Sequence, residues 1–372
     1  MPGGFFGITT MTPAVRQFCR TFLFLILAVL LTPDAGAAEA DEFYVNTYRS
    51  IATVSPKGSR SMAMGGTGRG LADGVPSLGV NPAALGVFDG KGAEVGLGYD
   101  WLADGNDNTD QISFRLGGAI SLERWKPSGG FNQAIGGLLE TKSYSGAAGV
   151  DMNRNQTGVL MAYGLHLLDN LLGGVSVALY DGKWTSRQQA DSAFYLDRKF
   201  TGGDFRLGTL YRLSDATTIG GVLGYATGSL REKAQYAANA GTGSLDRYSL
   251  GVGVAHQFRE NTLLLGDLWY DRMKSDVPSV LKEDNKSWGL SLGVEQNVIP
   301  EVMALRGGLY YDRASYSSDG TGTFVSGGSF SKGRFGLTAG IGVKLYPFDL
   351  GYSLDVNSGG DVKNLLEVSA EW

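Results

Sequence analysis

From Glu94 onward the chain alternates large apolar residues with glycine and polar ones, and this pattern restricts what it can fold into. Val95, Leu97, Tyr99 and Trp101 share one parity, while Glu94, Gly96, Gly98 and Asp100 share the other. Successive side chains of a strand point to opposite sides of a sheet, so such a run has one bulky apolar face and one small or polar face. Ile112, Phe114 and Leu116 repeat the arrangement against Gln111, Ser113, Arg115 and Gly117, and the stretches 287–295, 335–345 and 348–355 repeat it again. A soluble sandwich would hide the bulky face and give the other one Lys, Glu and Thr. Here the minor face is mostly glycine, with charges such as Arg206, Asp267, Arg306 and Lys344. Glycine weakens a solvent-facing strand and packs nothing, but it lets another stretch of backbone come close. Bulky residues turned to lipid, with glycine and charge turned in around a filled lumen, satisfy both faces.

Composition supports that choice. Glycine supplies 57 of 372 residues, about twice the usual share of roughly 7%, with no three-residue period. The chain is 43% hydrophobic and 11% aromatic, unlike a disordered polypeptide. A net charge of −5 offers no basic field for nucleic acid.

About fourteen segments have the ~9–11 residues that a tilted strand needs to cross a bilayer. Their starts fall near positions 91, 110, 130, 156, 173, 201, 216, 247, 261, 286, 302, 333, 348 and 364. Short links centre on Asp169-Asn170, Ser214-Asp215, Arg259-Glu260, Ile299-Pro300 and Tyr346-Pro347. Long ones are expected at 141–155, 185–199, 229–246, 273–284 and 314–332. Bacterial barrels have an even strand number, short periplasmic turns and longer outer loops. The expected fold is therefore an all-β transmembrane antiparallel barrel of about 14 strands in a bacterial outer membrane, with both termini periplasmic and a hatch in the lumen.

Residues 1–37 read as a signal peptide. Arg16 and Arg20 precede the apolar run 22–31, which is followed by Pro33 and Ala35-Gly36-Ala37-Ala38, the order of a secretory signal. The run falls short of the ~20 apolar residues of a spanning helix. Cleavage there removes Cys19, the only cysteine. Residues 38–90 form an N-terminal lead and hatch, and 91–372 the barrel. The stretch 59–86 has too many glycines for a stable helix and no alternation for a strand. Gly65, Gly66 and Gly68, followed by Asn81, Pro82 and Ala83, suit a compact plug that cannot form a core alone. Phe43 and Tyr44 in the lead, with Phe194, Tyr195 and Leu196 in an outer loop, are the ligand-binding candidates. Gly136 and Gly137 interrupt the weakest strand, where a bulge or bend would open the wall.

The run Ser59-Arg60, then Met64-Gly65-Gly66 with Gly68, Leu71-Ala72-Asp73 and Asn81-Pro82-Ala83-Ala84-Leu85 resembles the N-terminal plug of FadL-type outer-membrane transporters of hydrophobic compounds. Type IX secretion barrel proteins look similar in the same region. The resemblance implies a fourteen-stranded barrel closed by a hatch containing Asn-Pro-Ala, a hydrophobic small-molecule ligand and lateral exit into outer-membrane lipid. Placing that exit at Gly136-Gly137 is inferred from the glycine pair. The final strand, ending on Trp372, resembles the C-terminal signature presented to outer-membrane assembly machinery, and an aromatic suits a membrane interface.

Enzymatic chemistry is not expected. His166 and His256 lie on unrelated strands without metal-ligand spacing. Gly66-Thr67-Gly68-Arg69-Gly70 lacks the strand and spacing of a nucleotide loop, and Asp104, Asp107 and Asp110 fit a solvated loop better than a calcium site. No cofactor or metal is indicated. A non-transporting barrel that docks or assembles exported proteins is the competing expectation; an open porin is disfavoured by the plug.

Overall fold

The computed structural model describes residues 57–71, 75–104, 107–122, 132–147, 150–188, 195–234, 241–277, 281–318 and 328–372. The expected signal peptide and the lead with Phe43 and Tyr44 lie outside them, as does Phe194. Fourteen strands follow a short helix, α1 (Ser59–Ala63), and 3-10 turns at Val75–Ser77 and Pro82–Val87. They are β1 (Lys91–Asp104), β2 (Asp107–Ser121), β3 (Gln133–Ala147), β4 (Val150–Leu168), β5 (Leu171–Gln188), β6 (Tyr195–Ser214) and β7 (Thr217–Ala234). Then come β8 (Gly241–Arg259), β9 (Thr262–Val277), β10 (Leu281–Ile299), β11 (Met303–Ser318), β12 (Gly328–Leu345), β13 (Phe348–Asn357) and β14 (Val362–Glu371).

Each strand pairs antiparallel with its sequence neighbours, and β1 pairs with β14, so the sheet closes on itself. Closure pairs every strand on both sides along the part of the sheet that β13 and β14 reach, which a bilayer requires because lipid offers backbone groups no partner. At the seam, the backbones of Lys91 and Trp372 exchange two hydrogen bonds of 2.9 Å. The expected transmembrane antiparallel barrel of fourteen strands is the observed fold.

The links differ from the sequence expectation. One end carries the tight turns at 169–170, 215–216, 260–261, 300–302 and 346–347, but also the longer link 122–132. At the other end the expected long loops are mostly strand: β5 runs on to Gln188 and β6 already begins at Tyr195. Toward the long end the outward parity turns polar, as at Lys183, Lys199, Lys274 and Lys286, while bulky residues such as Trp184 and Phe200 take the inward parity, so the outward apolar alternation ends while the hydrogen-bond ladder continues. Amphipathic pattern marks the membrane crossing rather than the strand.

The bulky parity faces outward. Leu97, Ile112, Leu223, Leu250, Leu268 and Leu290 are all exposed, whereas Glu94, Arg115, Asp267 and Glu295 are buried in the interior. Toward the long end, outward-facing Tyr225, Tyr248, Tyr270, Trp288 and Tyr311 form an aromatic girdle across β7 to β11. The rings of Tyr225 and Tyr248 are 5.1 Å apart, those of Trp288 and Tyr311 5.6 Å. Tyrosine hydroxyls find polar partners one step further out: Tyr99 donates to Asp110 (2.8 Å), Tyr225 to Asp246 (2.9 Å) and Tyr352 to Asn364 (2.7 Å). An apolar body with a wet tip is the requirement at a membrane interface. A cation placed in the middle of this band should be costly. Val252→Arg, between Tyr248 and Phe258 on β8, is expected to destabilise the barrel by about 2–4 kcal/mol, read by urea unfolding in lipid vesicles; an unchanged midpoint would contradict a lipid-facing Val252.

Candidate functional site

Residues 57–71 and 75–90 lie inside the barrel, and the wall opposite them is built from glycine. A Cβ at Gly174 or Gly208 would collide with the Pro82-Ala83 stretch, and one at Gly220 or Gly253 with Arg69-Gly70. Gly293 and Gly308 make the same allowance for Met64-Gly65, and Gly164 for Leu85-Gly86. The glycine parity noted in the sequence is thus a recess shaped to backbone. Gly65 needs its glycine twice over: its φ is +74°, and a Cβ would sit 2.8 Å from the Leu309 carbonyl oxygen.

Polar ties hold the segment in that recess. Asn81, fully buried, caps the turn Pro82–Val87 by accepting from the Ala83 amide at 3.1 Å. Its Nδ2 donates to the carbonyls of Arg69 (2.7 Å) and Thr209 on β6 (3.1 Å). Pro82 at the start of the turn needs no amide partner there. Thr338 of β12 accepts from the Gly65 amide and donates to the Ala63 carbonyl, both at 2.8 Å.

Charged groups complete the attachment. Asp267 of β9 takes the Gly68 amide and the Arg69 guanidinium, each at 3.0 Å. Glu295 of β10 holds Arg60 at 2.6 Å and Arg306 of β11 at 2.7 Å. Arg206, paired with Asp204 on the same strand, donates to the Gly79 carbonyl at 2.7 Å. Near the seam, Arg115 donates to Glu94 at 3.1 Å and to the Lys57 carbonyl at 2.8 Å, while Glu367 accepts from the Ser59 amide at 3.0 Å. Removing one partner of such a buried pair costs more than the pair itself contributes, because the other charge is left dry.

The segment stands between two cavities. One, of about 300 Å³ on the tight-turn side, is lined by Ser59, Arg60, Glu295 and Arg306. The other, of about 450 Å³, has Met62, Gly65, Gly66 and Arg69 as its floor. Its walls mix charge with apolar surface: Asp100, Glu140, Lys142, Arg247, Asp312, Arg334, Asp355 and Lys363 stand beside Val80, Val222 and Leu365, with Trp269 and Tyr310 as aromatic surface. Arg334 links Asp312 (3.0 Å) and Asp361 (3.2 Å), and Tyr310 donates to Asp355 at 3.0 Å.

Nearer the long end, side chains of β5 to β11 narrow the lumen. Trp184, Phe200, Leu230, Leu245, Met273 and Tyr316 are buried together. Arg198 on β6 lies 5.4 Å from the Trp184 ring and 3.7 Å from Glu283 on β10. Those two strands are four apart in the wall, so the contact bridges the interior. Tyr316 donates to Glu283 at 2.9 Å.

Among the site residues read from sequence, Gly65, Gly66, Gly68, Asn81, Pro82 and Ala83 come together in the lumen as one attached unit. Tyr195 and Leu196 open β6 at the long end; their side chains, with Phe43, Tyr44 and Phe194, lie outside the described residues. The bulge expected at Gly136-Gly137 is absent: β3 pairs in unbroken register with β2 and β4, Gly137 opposite Gly118. Gly136 is small for another reason, since a Cβ there would lie 2.7 Å from Leu78 of the inner segment. The charged chamber was missed by site reasoning, although Asp100, Glu140 and Asp312 all sit on the parity that faces inward. Asp110 bonds Tyr99 on the outer face, and no cluster able to hold a metal occurs among the described residues.

The sequence matches no protein-family model and no curated protein. Solved structures do match along nearly their whole length. The Pseudomonas putida toluene transporter TodX shares 14% identity at a TM-score of 0.58, over 87% of this chain and 100% of that one. The Ralstonia pickettii toluene transporter TbuX gives 14% and 0.60, over 86% and 99%. A Pseudomonas aeruginosa FadL homologue gives 12% and 0.59, again over 86% and 99%. At these identities the likeness defines the fold: a closed fourteen-stranded barrel of the FadL type.

The attachment can be tested at its most buried charge. Asp267→Ala strands Arg69 and the Gly68 amide and is expected to weaken the inner segment's seat by about 3–5 kcal/mol. Limited proteolysis of the folded barrel should then cut within 57–90. Asp276→Ala, from an exposed pair with Lys282, should leave the pattern as in the parent; protection in both variants would show that Asp267 is not the anchor.

Proposed function

We propose that the protein is a bacterial outer-membrane transport protein for hydrophobic small molecules, with residues 1–37 as signal peptide, 38–90 as lead and hatch, and 91–372 as barrel. The observation that carries this reading is an attached segment standing between two lumenal cavities in a barrel of the FadL type, similar in fold to transporters described for toluene. The tight-turn end, with both termini, faces the periplasm, and Trp372 is the element offered to the assembly machinery. Hydrocarbons or long-chain fatty acids are the cargo class. Phe43, Tyr44, Phe194, Tyr195 and Leu196 are proposed to meet it on entry, and no catalytic step is assigned. A cavity of about 450 Å³ lies in the range of small-molecule sites.

Exit is proposed to be sideways. Apolar cargo passed directly into lipid avoids water, where each CH₂ would forgo about 0.8 kcal/mol of favourable transfer. The proposed place is β3 at Gly136 and Gly137, where Gly118 of β2 lies opposite Gly137, the ladder is unbroken, and Leu78 stands behind Gly136. Parting it requires Leu78 to move.

The competing reading, a non-transporting barrel that docks exported proteins, draws on the dense ion pairing that fastens the segment and lines the chamber. Uptake separates the two. Cells carrying the protein are expected to accumulate labelled toluene or a labelled long-chain fatty acid faster than cells without it; equal uptake with a co-purifying envelope protein would favour docking. A Gly118→Cys/Gly137→Cys pair, opposite one another in the ladder, should block uptake when oxidised and restore it on reduction. Undiminished uptake by the oxidised form would remove the lateral route.

A further inference from the structure

Outside the barrel, just beyond the aromatic girdle, four cations gather on β9 to β11. Arg272 and Lys286 are directly opposite each other in the ladder, as are Lys274 and Asp284. Arg313 faces Trp288 across the next pair. Like charges directly opposite one another destabilise a strand pair, so this arrangement calls for a counter-charge. The protein supplies part of it: Asp284 accepts from Arg272 at 2.6 and 2.9 Å and lies 3.7 Å from Lys286, and Asp246 lies opposite Lys274. Lys282 and Asp276, one step further on, pair at 3.4 Å and cancel, so four cations against these two acids leave 4 − 2 = +2 locally, on a chain whose net charge is −5.

Position defines what can fill the deficit. Tyr270, Trp288 and Tyr311 fix the level of the membrane interface, and the cations stand one or two steps further along the same outward faces. A group bound there has its polar part at headgroup height and its apolar part along the girdle and the leucines below it. We infer that this patch binds the headgroup of a membrane lipid carrying a phosphate monoester. Such a group brings close to two negative charges at neutral pH and three acceptor oxygens, matching the local excess, and the Arg272 and Arg313 guanidinium groups suit phosphate geometry. A singly charged phosphodiester lipid meets only half of it.

The inference rests on the membrane reading above but not on the cargo. Full-length protein is reconstituted in phosphatidylcholine vesicles doped with phosphatidic acid or with phosphatidylglycerol, and lipid retained after detergent extraction is counted by native mass spectrometry. Phosphatidic acid should be retained about tenfold over phosphatidylglycerol, the ratio set by one additional charge-assisted contact. Arg272→Gln/Lys286→Gln should bring the two lipids level. The charge-preserving Arg272→Lys/Lys286→Arg should keep the preference, as should Lys183→Gln/Lys199→Gln on β5 and β6. A preference that survives the first variant, or that the β5–β6 variant also abolishes, overturns the site. Inorganic phosphate displacing the lipid at equal concentration would overturn the lipid assignment in favour of free phosphate. Uptake by the same variants is read separately, so a failure of transport with the lipid preference intact leaves the two conclusions distinct.

Discussion

The inner segment can lie against the wall only where the wall has no side chains. Backbone approaching backbone inside a closed sheet leaves no room for a Cβ, and Gly174, Gly208, Gly220, Gly253, Gly293 and Gly308 mark the places of contact. This steric condition governs the rest. It spends the inward parity of several strands on glycine, so the barrel gains little apolar packing there and relies on ladder closure and on lipid outside. It also strips solvent from the charges beside the contact, which is why Asp267, Glu295 and Glu367 must each find a partner in the segment.

The same condition explains the layered interior. Near the tight turns the lumen is filled by backbone; near the long end it is narrowed by large side chains such as Trp184, Phe200 and Tyr316. Between them neither solution applies, and the space is lined by charges that neutralise one another, as Arg334 does with Asp312 and Asp361. Trp269 and Tyr310 add aromatic surface to this charged lining.

The fold was legible in the sequence because two lipid-related constraints write themselves into parity: bulky residues outward, small ones inward. The strand ends were not, since near the long end the bulky residues change face, as at Trp184 and Phe200, and the outward apolar parity stops before the ladder does. Asn81-Pro82-Ala83 could be recognised as a unit, but not its bonds, because Asn81 reaches Thr209, a partner distant in sequence. Gly136 misled for a similar reason. A glycine that weakens a strand and a glycine that admits Leu78 look alike until the opposing residue is known.

Arg115 and its neighbours tie the seam of the sheet to the inner segment. Glu94, Arg115 and Glu367 belong to β1, β2 and β14, so their cluster straddles the one junction where the two ends of the sheet meet. The same cluster holds Lys57 and Ser59, which precede β1 in the chain. Joining the first strand to the last and seating the segment therefore draw on the same three side chains. The backbone ladder joins β1 to β14, and these side chains fasten the start of the inner segment to that same junction.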